Sequence, residues 1–182
     1  MIRLGRISYV NMAPVFFRLE VDVEEVSGVP TELNRALLAG ELDLAPISSI
    51  EYARHADRLR ILPRLCVGSE GAVDSIQLVS RLPLERVRSV AVTPESATSA
   101  VLTKVLLPEA GHVPLGEEAD ARLLIGDAAL RSAFEDPTPH YDLGRRSIER
   151  LLDGSHDTRN DGLVERIPMP LRSRQSVGPP PA

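Results

Sequence analysis

The sequence predicts an α/β protein, and three observations carry that prediction. Short apolar strand signals alternate with helical ones at close spacing through the first half of the chain, the pattern of βαβ units and a largely parallel sheet. Hydroxyl- and amide-rich junctions stand where strand gives way to helix: Ser8-Tyr9-Val10-Asn11 after residues 2–7, Ser48-Ser49 after 42–47, and residues 93–99 after 89–92. Glycine or proline closes several of the helical stretches, as at Gly40, Pro108 and Gly111. In open α/β sheets ligands bind beyond the carboxyl ends of the strands, where helix N-termini offer free N–H groups and a positive dipole end. Three such junctions predict a cleft for a small, polar, carboxylated ligand.

Taken in order, residues 2–7 read as the first strand. Met12, Val15, Phe16 and Leu19 then fall on one face of a helix, with Pro14 tolerated in its first turn. Residues 21–26 form a second strand. A helix from Thr31 turns Leu33, Ala36 and Leu37 inward and stops at Gly40. Residues 42–47 are the third strand, and Ser48 or Ser49 caps a helix through about Ala56. Residues 60–67 and 75–80 are extended, separated by a Gly-Ser-Glu-Gly turn. Beyond Arg81 a second unit opens with strand 89–92 and a helix from about Ser96 that Pro108 and Gly111 end. Residues 121–125 form a buried strand, which Gly126-Asp127 turns into a short helix over 128–134.

Composition narrows the classes. A length of 182 residues allows one ordinary domain or two small ones, and 43% hydrophobic with 26% charged residues is a globular balance. A net charge of −5 and aromatics at 3%, without Trp, argue against nucleic-acid binding, which relies on basic clusters and stacking platforms. No run approaches a membrane span, and Met-Ile-Arg-Leu-Gly-Arg-Ile-Ser is not a secretory signal, so the expectation is a cytoplasmic protein without a membrane partner. Cys66 is alone, which excludes an internal disulfide and reads as a buried structural thiol. His55, His112, His140 and His156 lack metal-ligand spacing, and no nucleophile elbow, phosphate loop or dinucleotide fingerprint is present.

The junction residues are the candidates for function. Asn11 can donate and accept at once and so hold a substrate hydroxyl in one orientation; its alternative is an N-cap or Asx turn. Ser48 and Ser49 supply a cap, a carboxylate-binding hydroxyl, or both. Thr93, Ser96, Thr98 and Ser99 put four hydroxyls around one helix start, more than a single cap requires, which favours an anion site. Asp127 either caps its helix or meets a ligand hydroxyl, and Ser75 either lines the same cleft or lies on the polar face of a strand. Glu51 and Glu95 are near the junctions, as acid or base or in solvated and capping roles.

Several ordered blocks resemble the chorismate dehydratase family of the futalosine route to menaquinone. They are Arg6-Ile-Ser-Tyr-Val-Asn11, Gly28-Val-Pro-Thr-Glu-Leu-Asn34, Pro46-Ile-Ser-Ser-Ile-Glu-Tyr-Ala53, Thr93-Pro-Glu-Ser-Ala-Thr-Ser99, Leu124-Ile-Gly-Asp127 and Tyr141-Asp-Leu-Gly144. The resemblance implies a type II periplasmic-binding-protein-like fold, two α/β lobes with the ligand between them. It implies removal of water from chorismate to give 3-[(1-carboxyvinyl)oxy]benzoate, with no metal or organic cofactor. Asn11 matches the family's key asparagine. Ser8, Tyr9, Ser48, Ser49, Ser75, Thr93, Ser96, Thr98, Ser99, Gly126 and Asp127 are the expected substrate-binding residues. A non-catalytic binder of small carboxylates with the same fold and the later dihydroxynaphthoate-forming enzyme of the route are the alternatives. The Ser-Tyr-x-Asn and Pro-Ile-Ser-Ser-Ile-Glu-Tyr blocks favour the dehydratase over the latter.

On this reading residues 1–81 belong to lobe one, 82–144 to lobe two and 145–182 to a divergent tail. The tail is rich in Arg and Pro and has no aromatic residue, so the expectation is disorder, with a short helix at 147–152 as the one local element. An Arg/Pro/Ser-rich end is also what a shifted frame of GC-rich DNA encodes, so the expectation is a truncated or frameshifted member with lobe one incomplete; the opposing reading is a genuine short variant completed by self-association.

Overall fold

The computed structural model describes residues 1–17, 19–62, 67–69 and 71–154. Strand β1 (Ile2–Ile7) runs parallel to β2 (Val23–Gly28), with Ile2 opposite Val23 and Ile7 opposite Gly28. Between them lie a 3-10 turn (Val10–Met12) and the single helical turn α1 (Ala13–Phe16). Met12 and Phe16 are buried with Leu4 and pack on Ile7 and Val23. The helix expected to reach Leu19 ends at Phe16, because Phe17 is already extended and Val15 and Leu19 face out. Only half of the expected apolar face therefore meets a core.

Helix α2 (Pro30–Leu38) begins on Pro30, whose missing N–H lies among those with no intrahelical partner. The Glu32 carboxylate accepts from the Val29 N–H at 3.2 Å, and Gly40 closes the helix at φ +75. Residues 42–47 do not form the third strand. Leu44 makes an isolated bridge to Leu4, with Gly5 N–H donating to Leu44 O at 2.8 Å and Leu44 N–H to Arg3 O at 3.3 Å. The next rung of a parallel ladder calls for an N–H at position 46, and Pro46 has none. The segment is held instead by close approach: a Cβ on Gly5 would sit 2.8 Å from Ala45 Cβ and 2.9 Å from Leu42 Cδ1. Asp43 accepts from the Arg3 N–H at 2.8 Å and pairs with its guanidinium, which holds the Asp43 carboxyl down at about 2. Helix α3 (Ser49–Arg54) is shorter than expected.

The second sheet carries β3 (Ile76–Val79), β4 (Ser89–Val92), β5 (Gly111–Pro114), β6 (Ala121–Ile125) and β7 (His140–Asp142) in the order β5-β4-β6-β3-β7. Strand β4 is parallel to β5 and β6, while β3 is antiparallel to both β6 and β7, so this sheet is mixed rather than wholly parallel. Residues 76–79, assigned from sequence to lobe one, hydrogen-bond into this second sheet. The short strands β5 and β7 were not legible in the sequence. Helix α4 (Ala97–Leu106) links β4 to β5, and α5 (Gly126–Glu135) follows β6 directly. Leu78, Val87, Val90, Ala121, Leu123 and Leu143 form the core, each fully buried Leu or Val contributing about 1.5–3 kcal/mol. Two sheets, each with helices packed on it, give the α/β architecture that the resemblance implies.

Order does not stop at residue 144. Helix α6 (Leu143–Gly154) starts four residues earlier than the local helix expected at 147–152 and packs against α4 and β3. Its hold is Leu143, 2% exposed in the core, with the Ser147 hydroxyl donating to Leu143 O at 2.7 Å. The readings of Cys66 and of the remaining tail fall on residues outside those described, as does half of the extended segment 60–67; its described part forms no strand.

Candidate functional site

The carboxyl ends of β1, β4 and β6 and the start of β3 converge, and the loops leaving them touch across the two sheets. From the first sheet come Tyr9, Val10 and Asn11, with Ser49 and Ile50 at the start of α3. From the second come Ser75, Glu95, Thr98, Gly126 and Asp127. Five hydrogen bonds join the two sets.

Asn11 lies in the 3-10 turn, and its Nδ2 donates to the Ser75 hydroxyl at 3.1 Å. The carboxamide is neither an N-cap nor an Asx turn. It reaches 64 positions along the chain, and its residue stays solvent-exposed. Tyr9 crosses beside it, donating its hydroxyl to Glu95 Oε2 at 2.7 Å. Burial first, then the hydrogen bond and charge of Glu95, raise the Tyr9 phenol well above its ordinary range, so it remains a donor.

The Tyr9 ring rests on Gly126. That glycine has φ +56, and a Cβ there would meet three ring atoms at 2.7–2.8 Å, so both conformation and space require glycine. Its N–H donates to Ser75 O at 2.8 Å, tying the start of α5 to the loop before β3. Asp127 does not cap α5; its Oδ1 accepts from the Val10 N–H at 2.9 Å on the opposite side of the junction.

The hydroxyl-rich segment after β4 divides its work. Thr93 Oγ1 accepts from the Glu95 N–H at 3.2 Å in a local turn. Ser96 is the N-cap of α4, accepting from the Ser99 N–H at 3.2 Å, and its hydroxyl lies 2.8 Å from the fully buried Ser99 hydroxyl. Thr98 alone faces the other sheet, accepting from the Ile50 N–H at 3.4 Å and lying 3.5 Å from the Ser49 hydroxyl. Capping and turn formation therefore account for three of the four hydroxyls that sequence reasoning grouped together.

Ser48 also turns away from the junction. Its side chain does not cap α3; it accepts from Asn34 Nδ2 at 3.0 Å, and its N–H donates to Asn34 Oδ1 at 3.2 Å. Ser8 donates weakly to Gly28 O at 3.4 Å and is exposed. Asn34, buried on α2, is the support that sequence reasoning missed. Its signal was an asparagine on the inward face of a helix, where intrinsic preference disfavours it. Glu51 pairs with Arg54 on the surface of α3.

Among the described residues no three His, Cys, Asp or Glu side chains gather as a metal site, and no helix is long and apolar enough to cross a membrane. Open grooves of about 570 and 500 Å³ border Arg122 and Asp136 on the second sheet, and Asn11 lines neither. What the junction offers is a set of donors and hydroxyls at the ends of α4 and α5, arranged around a carboxamide.

The family model for menaquinone biosynthesis matches residues 2–146. The chain belongs to that family. The chorismate dehydratase of Thermus thermophilus is 42% identical over 141 residues, covering 71% of this chain and 52% of that protein. The chorismate dehydratase of Campylobacter jejuni is 32% identical over 148 residues, covering 76% and 57%. The chain thus spans little more than half the length of these relatives. An Archaeoglobus fulgidus protein of solved structure shares the fold with a TM-score of 0.64 at 22% identity, over 87% of this chain and 63% of its own.

Proposed function

We propose that this chain carries the chorismate-dehydrating half-site of its family: a hydro-lyase that converts chorismate to 3-[(1-carboxyvinyl)oxy]benzoate and water, in the cytoplasm and without metal or organic cofactor. The observation that carries the reading is the meeting of Asn11 with Ser75 at the point where both sheets end. Its setting supports it, since the blocks around Asn11 belong to a chain 42% identical to a protein named for that reaction.

The chemistry suits the site. Chorismate loses one ring proton and its ring hydroxyl, and the atoms balance as product plus one water. The product ring is aromatic, so the driving force is internal to the substrate. The protein then has to position and to stabilise charge. Asn11 orients the ring hydroxyl through its carboxamide, with Ser75 fixing which way the amide points. The side-chain carboxylate of chorismate takes the proton. Thr98, Ser49 and the N-terminal turns of α4 and α5 face the substrate carboxylates. Tyr9, held protonated, bounds the site on its Gly126 side as a neutral donor.

The test is chorismate turnover by the 182-residue protein, followed by product formation, alongside calorimetric binding. Asn11→Ala is expected to lower kcat on the order of 100-fold while the affinity for chorismate changes by less than about tenfold. Wild-type kcat in that variant ends the assignment of Asn11.

A further inference from the structure

The Tyr141-Asp-Leu-Gly144 block has no part in the reading above, yet its aspartate gathers four donors. Asp142 Oδ1 accepts from the Arg145 N–H at 2.9 Å, the ordinary N-cap bond of a helix such as α6. Capping uses that one oxygen. Oδ2 is turned onto the loop that enters β3, where it accepts from the Val73 N–H at 2.9 Å, the Asp74 N–H at 2.7 Å and Gln77 Nε2 at 3.3 Å.

That loop is strained. Asp74 has φ +59, a left-handed conformation that favours glycine and is held here by the bonds around it. Here the carboxylate holds the N–H groups of Val73 and Asp74, and Gln77 Nε2 also donates to Asp74 O at 3.0 Å. Gly144 lies so close to Val73 that a Cβ would overlap its side chain. The block and the loop thus form one contact.

The residue after the strained turn is Ser75. Its N–H donates to Val73 O at 2.7 Å, its carbonyl accepts from Gly126, and its hydroxyl accepts from Asn11. We propose that Asp142 is a positioning residue for the cleft, fixing the turn at Asp74 and thereby aiming the Ser75 hydroxyl at the Asn11 carboxamide. Its consequence for turnover rests on the dehydratase reading; the aiming itself does not.

The experiment therefore reads Asn11 directly. The side-chain NH₂ signals of Asn11 are assigned in the amide NMR spectrum of the full chain by their loss in Asn11→Ala. Ser75→Ala removes the acceptor and shifts them. Asp142→Asn, folded by the same spectrum, is expected to shift them in the same direction. In the Ser75→Ala/Asp142→Asn double variant they stay where Ser75→Ala alone leaves them, since the two act through one contact. Signals unmoved in folded Asp142→Asn, or moved independently in the double variant, overturn the proposal. If Asp142→Asn does not fold, Asp142→Ser replaces it, which can still cap α6 but lacks the oxygen that reaches Val73 and Asp74, and unmoved Asn11 signals there overturn it equally. In turnover, Asp142→Asn is expected to lose on the order of 10–100-fold in kcat with little change in KM. Asn11 signals that shift in Asp142→Asn, together with a wild-type chain that does not dehydrate chorismate, sustain the positioning and overturn the dehydratase reading instead.

Discussion

Gly126→Ala tests the contact between the two sheets at its tightest point. The new Cβ would lie 2.7 Å from the Tyr9 ring, and ordinary contact begins near 3.4 Å, so the ring must retreat by 3.4 − 2.7, or roughly 0.7 Å. The atoms it meets are the root of the ring rather than a flexible end, and the ring's far side is held by the 2.7 Å bond to Glu95. Overpacking of this kind costs about 1–3 kcal/mol. The left-handed backbone at φ +56 adds about 1–2 kcal/mol for alanine over glycine, giving roughly 2–5 kcal/mol in all. The assay is urea unfolding of four proteins: wild type, Gly126→Ala, Tyr9→Ala and the double variant. Removing Tyr9 removes the clash, so in the Tyr9→Ala background the glycine substitution is expected to cost only the backbone share. An equal cost in both backgrounds, or a single-variant cost below about 0.5 kcal/mol, refutes the packing argument.

Two further outcomes follow from the same contacts. Asn34→Ala is expected to cost about 1–3 kcal/mol, because it leaves the Ser48 N–H and hydroxyl without their buried partner, and to speed hydrogen exchange at the Ser48 amide; unchanged exchange there counts against the support role. The Tyr9 phenol is raised above its ordinary 10.0, so the stability it contributes is complete below that pH and is lost as pH climbs toward the raised value. Alkaline titration of phenolate absorbance is expected to show one of the three tyrosines ionising late, and Glu95→Gln to bring it down; three ordinary titrations in the wild type refute it.

Much of the fold was legible because its signals are local. Residues 2–7, 89–92 and 121–125 were read with the bounds the structure gives them, each a short apolar run ending at a polar junction. Reading failed where pairing decides. Strands β5 and β7, with their Pro114 and His140, become strands only because β4 and β3 offer edges to them. Residues 42–47 carry the apolar run of a strand but lose their ladder at Pro46. Helix α6 is anchored by the buried Leu143 and the Asp142 cap before it, four residues ahead of the short helix that the sequence suggested.

At the site the division is similar. Residue type and strand–helix spacing are one-dimensional properties, and by themselves they marked where polar junctions follow strands and put Asn11, Ser75, Thr98, Ser49 and Asp127 among the candidates; Tyr9 and Gly126 joined them through the family resemblance. The sequence did not separate them from Thr93, Ser96, Ser99 and Ser48, whose hydroxyls are used by caps, turns and Asn34. Only the tertiary structure decided that Asn11 meets Ser75 across 64 positions, that Tyr9 meets Glu95 across 86, and that Asp142 stands behind the turn that makes the first of these possible. A hydroxyl or carboxylate takes the best partner within reach, and reach is set by how two sheets pack rather than by distance along the chain.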